Sequence, residues 1–364
     1  MAKYKLALGL LASLLFALAP AAAVHAKEAV SKSSAAKKHT GKKAKVVLRR
    51  GDRATGTRAA AAPRGKAVRR VVTVHGKRKV IYQRVTSAAV PMAAPMPTMG
   101  DLAGLNLTRD PLDLKSSVAL VLDQSNAEVL FEKNSNVALP IASITKMMTG
   151  LVVVEAGQDM EEVLTITDDD VDRAKFSSSR LKVGSQLTRS NMLHIALMSS
   201  ENRAASALGR NYPGGLPAFV NAMNAKARKL GMNDTHYVDS NGLSKMNVAS
   251  AHDLAKLAMA AFQQPLLRQF STDPKAIVEA SGHPMQFGNT NHLVANPGWE
   301  IGLQKTGFIN EAGRCLLMQA VIEGRSVIMV FLDSKGKQSR TADAGRMRKW
   351  LEALKPGNLV LPGG

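Results

Sequence analysis

Cysteine is nearly absent. Cys315 stands alone in 364 residues, so no intrachain disulfide can form and the fold must rest on its own core. Aromatic residues are scarce, at 4%. Metal-ligand spacing is missing as well. His252 with Asp253, and His283 with His292, are the nearest approaches, and neither belongs to a His-x-x-x-His pair or a ligand set. No metal and no cofactor are called for. Cys315 lies in the alternating run "GRCLLMQAVIE", which reads as a strand holding a small buried filler rather than a nucleophile. Acidic residues are missing from one region in particular. Between Lys27 and Val85 only Glu28 and Asp52 oppose nineteen lysines and arginines, so this stretch carries +17 of the formal +21. The extreme basicity therefore belongs to a tail and not to the globular part.

Long apolar runs are also lacking, with one exception at the start. Leu6–Ala19 is apolar for 14 residues behind Lys3 and Lys5, is broken by Pro20, and is followed by Val24-His25-Ala26. About 20 residues are needed to span a bilayer. The pattern reads as a signal peptide cleaved near Ala26, with an uncleaved anchor as the alternative. It implies export to the periplasm without a transmembrane anchor in the mature chain.

Residues 27–109 read as a basic, Pro/Ala-rich disordered tail and linker, since "SKSSAAKKHTGKKAK" offers no apolar period. Within it, "AVRRVVTVHGKRKVIYQRV" alternates enough for a hairpin about His75-Gly76. The catalytic domain is placed at 110–364. There, "SSVALVLDQSNAEVLFEKN" reads as two strands about a turn. Helices follow from Ser143 to Gly157, after a Thr188 cap, through "LPAFVNAMNAKARKLGM", and after Ser250 with Asp253 at capping-box spacing. Three late β runs, "WEIGLQKTGF", "GRCLLMQAVIE" and "RSVIMVFLDS", precede a last helix, "TADAGRMRKWLEAL". Strands, then helices, then a meander give an α/β fold without a βαβ repeat.

The chemistry sits in three places. "ALPIASITKMMTG" sets Ser143 and Lys146 three apart, on one helix face. They are either a solvated helix edge or a nucleophile and its base. A helix start favours negative charge on the serine oxygen. A lysine accepts the proton only when neutral, so its pKa must fall about three units, which burial or a second cation can achieve. Candidate partners are Ser200 and Asn202 in "SSENR", at a helix break 57 residues later, and Lys305, Thr306 and Gly307 in "LQKTGF", another 105 on. Glycine there lets a substrate backbone lie along a strand edge.

Ser-x-x-Lys, Ser-x-Asn and Lys-Thr-Gly in this order resemble the penicillin-binding proteins and serine β-lactamases. "IASITKMMTG", "MSSENRAA", "HYVDSNGLS" and "KTGFINEAGRCL" further resemble the low-molecular-weight D-alanyl-D-alanine endopeptidases. The resemblance runs from about Asp113 to Leu354 and does not reach the basic tail. It implies a β-lactamase/penicillin-binding fold, with a mainly antiparallel sheet, helices on both faces and a helical lobe. It also implies a serine DD-peptidase with Ser143 as nucleophile, Lys146 as base and Ser200 as proton relay. Asn202, Lys305, Thr306 and Gly307 would bind substrate, and the Phe308 N–H would join that of Ser143 in the oxyanion hole. Implied partners are peptidoglycan stem peptides and cross-links, with β-lactams as covalent inhibitors. The absence of a second domain after "KPGNLVLPGG" favours an endopeptidase over a carboxypeptidase. A β-lactamase would need a Glu-x-x-Leu-Asn stretch that the segment after Asn202 lacks. The tail reads either as a solvated spacer or as a tether to an anionic envelope component, with no specific nucleic acid as partner.

Overall fold

The computed structural model describes residues 67–74, 77–84 and 96–354. The proposed signal peptide, most of the basic tail and the final ten residues lie outside the described residues. Two units result, divided between Val90 and Pro91. In the first, β1 (Ala67–Val74) pairs antiparallel with β2 (Lys77–Arg84), with Val74 opposite Lys77, so the strands flank His75-Gly76.

The second unit runs α1 (Met99–Leu102), β3 (Ser116–Asp123), β4 (Val129–Lys133), β5 (Leu139–Pro140), α2 (Thr145–Glu155), β6 (Val163–Thr165), β7 (Gln186–Thr188) and α3 (Arg189–Met198). It continues through α4 (Asn202–Arg210), α5 (Gly215–Lys229), β8 (Val248–Ala249), α6 (Ala251–Phe262), α7 (Pro265–Thr272), β9 (Lys275–Ala280) and β10 (His283–Gly288). It ends with β11 (Glu300–Ile309), β12 (Gly313–Ile322), β13 (Arg325–Ser334) and α8 (Ser339–Ala353).

The main sheet has five strands in the order β11-β12-β13-β3-β4, and every pairing in it is antiparallel. β3 is buried along its whole length, because both sheet faces are covered. The period of two divides its side chains. Val118, Leu120 and Leu122 join Cys315, Leu317, Ile328 and Val330 in the core shared with the helical lobe. Ala119 and Val121 join Leu316, Met318, Met329 and Phe331 against Ala344, Met347 and Leu351 of α8. The sheet thus lies between α8 and the remaining helices, as the expected α/β fold requires. β11 is an edge strand, which leaves one side of the Lys-Thr-Gly segment unpaired.

Three local readings are revised. The sequence places linker through residue 109, yet Thr98–Leu107 is built into the folded body. Thr98 and Asp101 form a capping box around α1, the Met99 N–H donates to the Glu311 carbonyl at 2.9 Å, and the Asn134 amide holds the Leu105 carbonyl at 3.1 Å. A single helical turn has too few residues to show a period. Ser250 does cap α6, but Asp253 turns its carboxylate away to the Asp234 N–H and the Thr235 hydroxyl. The helix expected from Ser143 opens with a 3-10 turn over Ala142–Ile144 before α2 begins. Thr188 caps α3 as expected, its hydroxyl accepting from the Asn191 N–H at 3.1 Å.

Candidate active site

Ser143 lies in the 3-10 turn that leads into α2, directly after Ala142, which holds the left-handed backbone at φ 48°. Non-glycine residues in that region carry strain of about 1–3 kcal/mol and concentrate at functional sites. Lys146, one turn along, is completely buried. Its Nζ lies 2.9 Å from Ser143 Oγ and 2.7 Å from Asn202 Oδ1, and it also contacts the Asn241 carbonyl. Asn202 is fixed from its other side, where Nδ2 donates to Ser177 Oγ at 3.0 Å.

Lys146 Nζ can donate to all three of these acceptors as an ammonium; once neutral, it keeps two N–H bonds for Asn202 Oδ1 and the Asn241 carbonyl and can turn its lone pair to the Ser143 hydroxyl. Burial pushes the Lys146 pKa down from 10.5 to about 7, while the charges of Asp239 and Glu201 pull it back up. Desolvation is the leading cause of the Lys146 shift, one of the two routes expected; the other, a second cation, is present as Lys305. That residue is fully buried and held well below its ordinary value by burial, Lys146 and Arg340.

Lys305, Thr306, Gly307 and Phe308 fall on β11, as expected. A Cβ on Gly307 would come within 3.2 Å of Ser143 N and 2.8 Å of the Ile141 carbonyl. Only glycine lets the strand edge pass this close to Ser143. Lys305 Nζ donates to the Thr306 carbonyl at 2.9 Å, and the Thr306 and Thr290 hydroxyls are 2.6 Å apart. Phe308 is half exposed at the rim, beneath the Arg314 guanidinium. Ser200 occupies the junction between α3 and α4 at φ 63° and is partly exposed. Its hydroxyl makes no hydrogen bond among the described residues, so the structure joins Ser143, Lys146 and Asn202 directly but not Ser200. Glu201 is buried and caps α4, receiving the Ser179 hydroxyl at 2.5 Å. Cys315 is fully buried, and burial pushes its thiol up to about 12, as befits a core filler.

A loop that sequence reasoning treated only as part of the resemblance completes the site. Asp239 organises it by accepting from the N–H groups of Asn241, Gly242 and Ser244 and from the Asn247 side chain. Ser240 ties it to the lobe, its carbonyl accepting from Thr149 and its hydroxyl donating to the Ala205 carbonyl. Asn241 contributes through its backbone, which no side-chain pattern advertises. The available signal was "DSNG", an Asx-turn composition ending in a glycine.

Comparison with known proteins gives the family. The family model described as D-alanyl-D-alanine carboxypeptidase matches residues 106–336. A D-alanyl-D-alanine endopeptidase of Pseudomonas aeruginosa is 48% identical over 275 residues, covering 75% of this chain and 86% of that protein. One from Escherichia coli is 43% identical over 245 residues, covering 67% and 79%. Among solved structures, a Streptomyces DD-transpeptidase aligns with a TM-score of 0.63 at 25% identity, over 68% of this chain and all of that one. The D-alanyl-D-alanine carboxypeptidase of Mycobacterium tuberculosis aligns at 0.62 and 26%, over 69% and 95%. By sequence and by fold, this chain is a member of the D-alanyl-D-alanine carboxypeptidase family of serine peptidases.

Proposed function

We propose that the chain is an exported DD-peptidase that hydrolyses D-alanyl bonds in peptidoglycan cross-links through an acyl-enzyme on Ser143. The observation that carries this is the buried lysine whose Nζ, held by Asn202 and the Asn241 carbonyl, lies 2.9 Å from the Ser143 hydroxyl. Lys146 takes the hydroxyl proton as Ser143 Oγ adds to the D-alanine carbonyl. The Ser143 and Phe308 N–H groups receive the oxyanion, and losing one such donor costs about 2.7–4 kcal/mol. Ser200 passes a proton to the leaving amine once substrate fills the cleft. Asn202 orients the substrate amide, and Lys305 and Thr306 hold the carboxylate of the leaving side. Water then releases the acyl group. β-Lactams acylate Ser143 as mimics of the same bond.

Cross-link cleavage is favoured over trimming of terminal D-alanine because the two relatives above 40% identity are both named endopeptidases. Intact mass spectrometry after benzylpenicillin tests the nucleophile: one adduct on the wild type and none on Ser143→Ala is expected, and an adduct on that variant refutes it. Incubation with a cross-linked muropeptide dimer tests the substrate. Two monomers are expected, whereas loss of a single D-alanine from uncrosslinked stems with an intact dimer makes the enzyme a carboxypeptidase. Rapid, sustained nitrocefin turnover would instead mark a β-lactamase.

The N-terminal pattern supports a periplasmic location. No helix among the described residues is long and apolar enough to cross a membrane. We infer that the basic tail holds the enzyme against anionic envelope material. Unchanged envelope retention at low salt after deletion of residues 27–85 overturns that inference.

A further inference from the structure

The oxyanion hole depends on a backbone N–H, and a backbone N–H is aimed by its peptide plane. Phe308 N–H belongs to the same peptide unit as the Gly307 carbonyl. That carbonyl accepts from Arg340 Nη1 at 2.6 Å, and the same nitrogen lies 3.3 Å from the Cys315 carbonyl on β12. Gly307 and Cys315 are register partners. One nitrogen reaches both oxygens only if the Gly307 carbonyl points toward β12. A trans peptide then directs the Phe308 N–H to the opposite side, the unpaired edge of β11. This is the edge where Gly307 meets Ser143 N.

We propose that Arg340 is a positioning residue for the oxyanion hole: its guanidinium grips the Gly307 carbonyl and so fixes the peptide plane that aims the Phe308 N–H at the reacting oxygen. The proposal rests on the oxyanion role given to Phe308 above. Three features fit it. Arg340 is the second residue of α8, whose own packing on the sheet anchors it. Its side chain is largely buried, and although burial and Arg314 lower its pKa to about 10, it stays charged at neutral pH. A charge-assisted bond to the carbonyl also polarises the amide, which makes its N–H a better donor. Gly307 lacks the Cβ that would resist rotation of its peptide planes, so the grip adds to the restraint of the ladder with Cys315.

The competing role for a cation beside the Lys-Thr-Gly strand is direct capture of the substrate carboxylate. The two differ in what they do to a substrate that has none. The test compares wild type, Arg340→Gln and Arg340→Lys on an N-acyl-D-alanyl thioglycolate, on its methyl ester, and on acetamidomethylboronic acid. The boronic acid forms a tetrahedral adduct on the nucleophile and carries no carboxylate. With positioning, Arg340→Gln lowers kcat/KM about tenfold to a hundredfold on acid and ester alike, mainly in kcat, and weakens the boronate by a similar factor. Arg340→Lys restores part of all three. If Arg340→Gln does not fold, as judged by its melting curve, Arg340→Lys shows the same pattern at smaller amplitude. Loss confined to the free acid and seen in KM, with ester and boronate unchanged, overturns the proposal in favour of carboxylate capture. No change on any ligand also overturns it. A wild-type enzyme that takes up no boronate on Ser143 refutes the nucleophile assignment itself, and this proposal with it.

Discussion

Gly242 packs so tightly on Ser143 that a Cβ there would lie 2.9 Å from Ser143 Cα and 2.2 Å from the carbonyl oxygen of Ala142. The loop that supplies the Asn241 carbonyl to Lys146 therefore also braces the backbone of Ser143. Gly242 holds φ +80°, a conformation that resists side chains whatever the space. Gly242→Ala combines that strain with a clash against backbone, which cannot swing aside. We expect a stability loss of about 2–5 kcal/mol and, from displacement of Ser143, about a hundredfold loss of benzylpenicillin acylation. Thermal melts and acylation rates on the folded fraction check both. Wild-type acylation in this variant would mean the loop does not position Ser143.

The state of Lys146 sets the acid limb of the pH profile. Its pKa is lowered to about 7, and only the neutral amine accepts the Ser143 proton. The second-order rate of β-lactam acylation should fall about tenfold per pH unit below that midpoint. A stopped-flow series with a chromogenic β-lactam from pH 5 to 9 measures it. A rate independent of pH across 5–7 would exclude Lys146 as the base.

Glu201 bears on the same midpoint through its charge alone. It raises the Lys146 pKa from its place at the cap of α4, without touching Nζ. Glu201→Gln keeps the oxygen that receives the Ser179 hydroxyl and removes the charge. The ammonium then loses a stabilising neighbour, so the acid limb should move to lower pH. With rates normalised to each plateau, the variant should retain more activity than wild type at pH 6. A limb that stays put or moves upward contradicts the electrostatic coupling.

What the sequence disclosed and what it hid follow from the range of the signals. β3, β12 and β13 are rich in apolar, β-forming residues, and α5 has helical periodicity, so local pattern sufficed for them. The order of the three motifs singled out Ser143, Lys146, Asn202 and Lys305, and the structure joins the first three by hydrogen bonds. The missing parts act through backbone or through long-range approach. The Asn241 carbonyl and the grip of Arg340 on Gly307 carry no side-chain signature, and residues 95 and 33 positions apart in the chain must meet before either exists. Thr98–Leu107 was lost to its brevity, since one capped turn is indistinguishable from linker until Glu311 and Asn134 bind it. The sequence offers burial and a second cation as routes to a neutral Lys146, but local pattern does not show that the burial is complete.

That burial has a thermodynamic consequence separable from catalysis. The Lys146 amine holds a proton up to 10.5 in a free chain and only up to about 7 in the folded protein. Between these values the unfolded state binds more protons, so stability rises with pH through the window and is lost as pH falls through the lower limit. The full window is worth about 5 kcal/mol. Lys146→Met keeps the apolar stem and removes the titration. It also strands the Asn202 and Asn241 oxygens, at about 1–3 kcal/mol each, but that cost does not change with pH. Urea unfolding of both proteins at pH 7 and pH 9.5 should show wild type gaining about 3 kcal/mol more than the variant on going to the higher pH. Titrating groups that Lys146 does not influence cancel in the difference; Lys305, whose value Lys146 lowers, can only widen it. Equal gains would mean the folded protein keeps Lys146 charged at pH 7, and the neutral-amine geometry would fall with it.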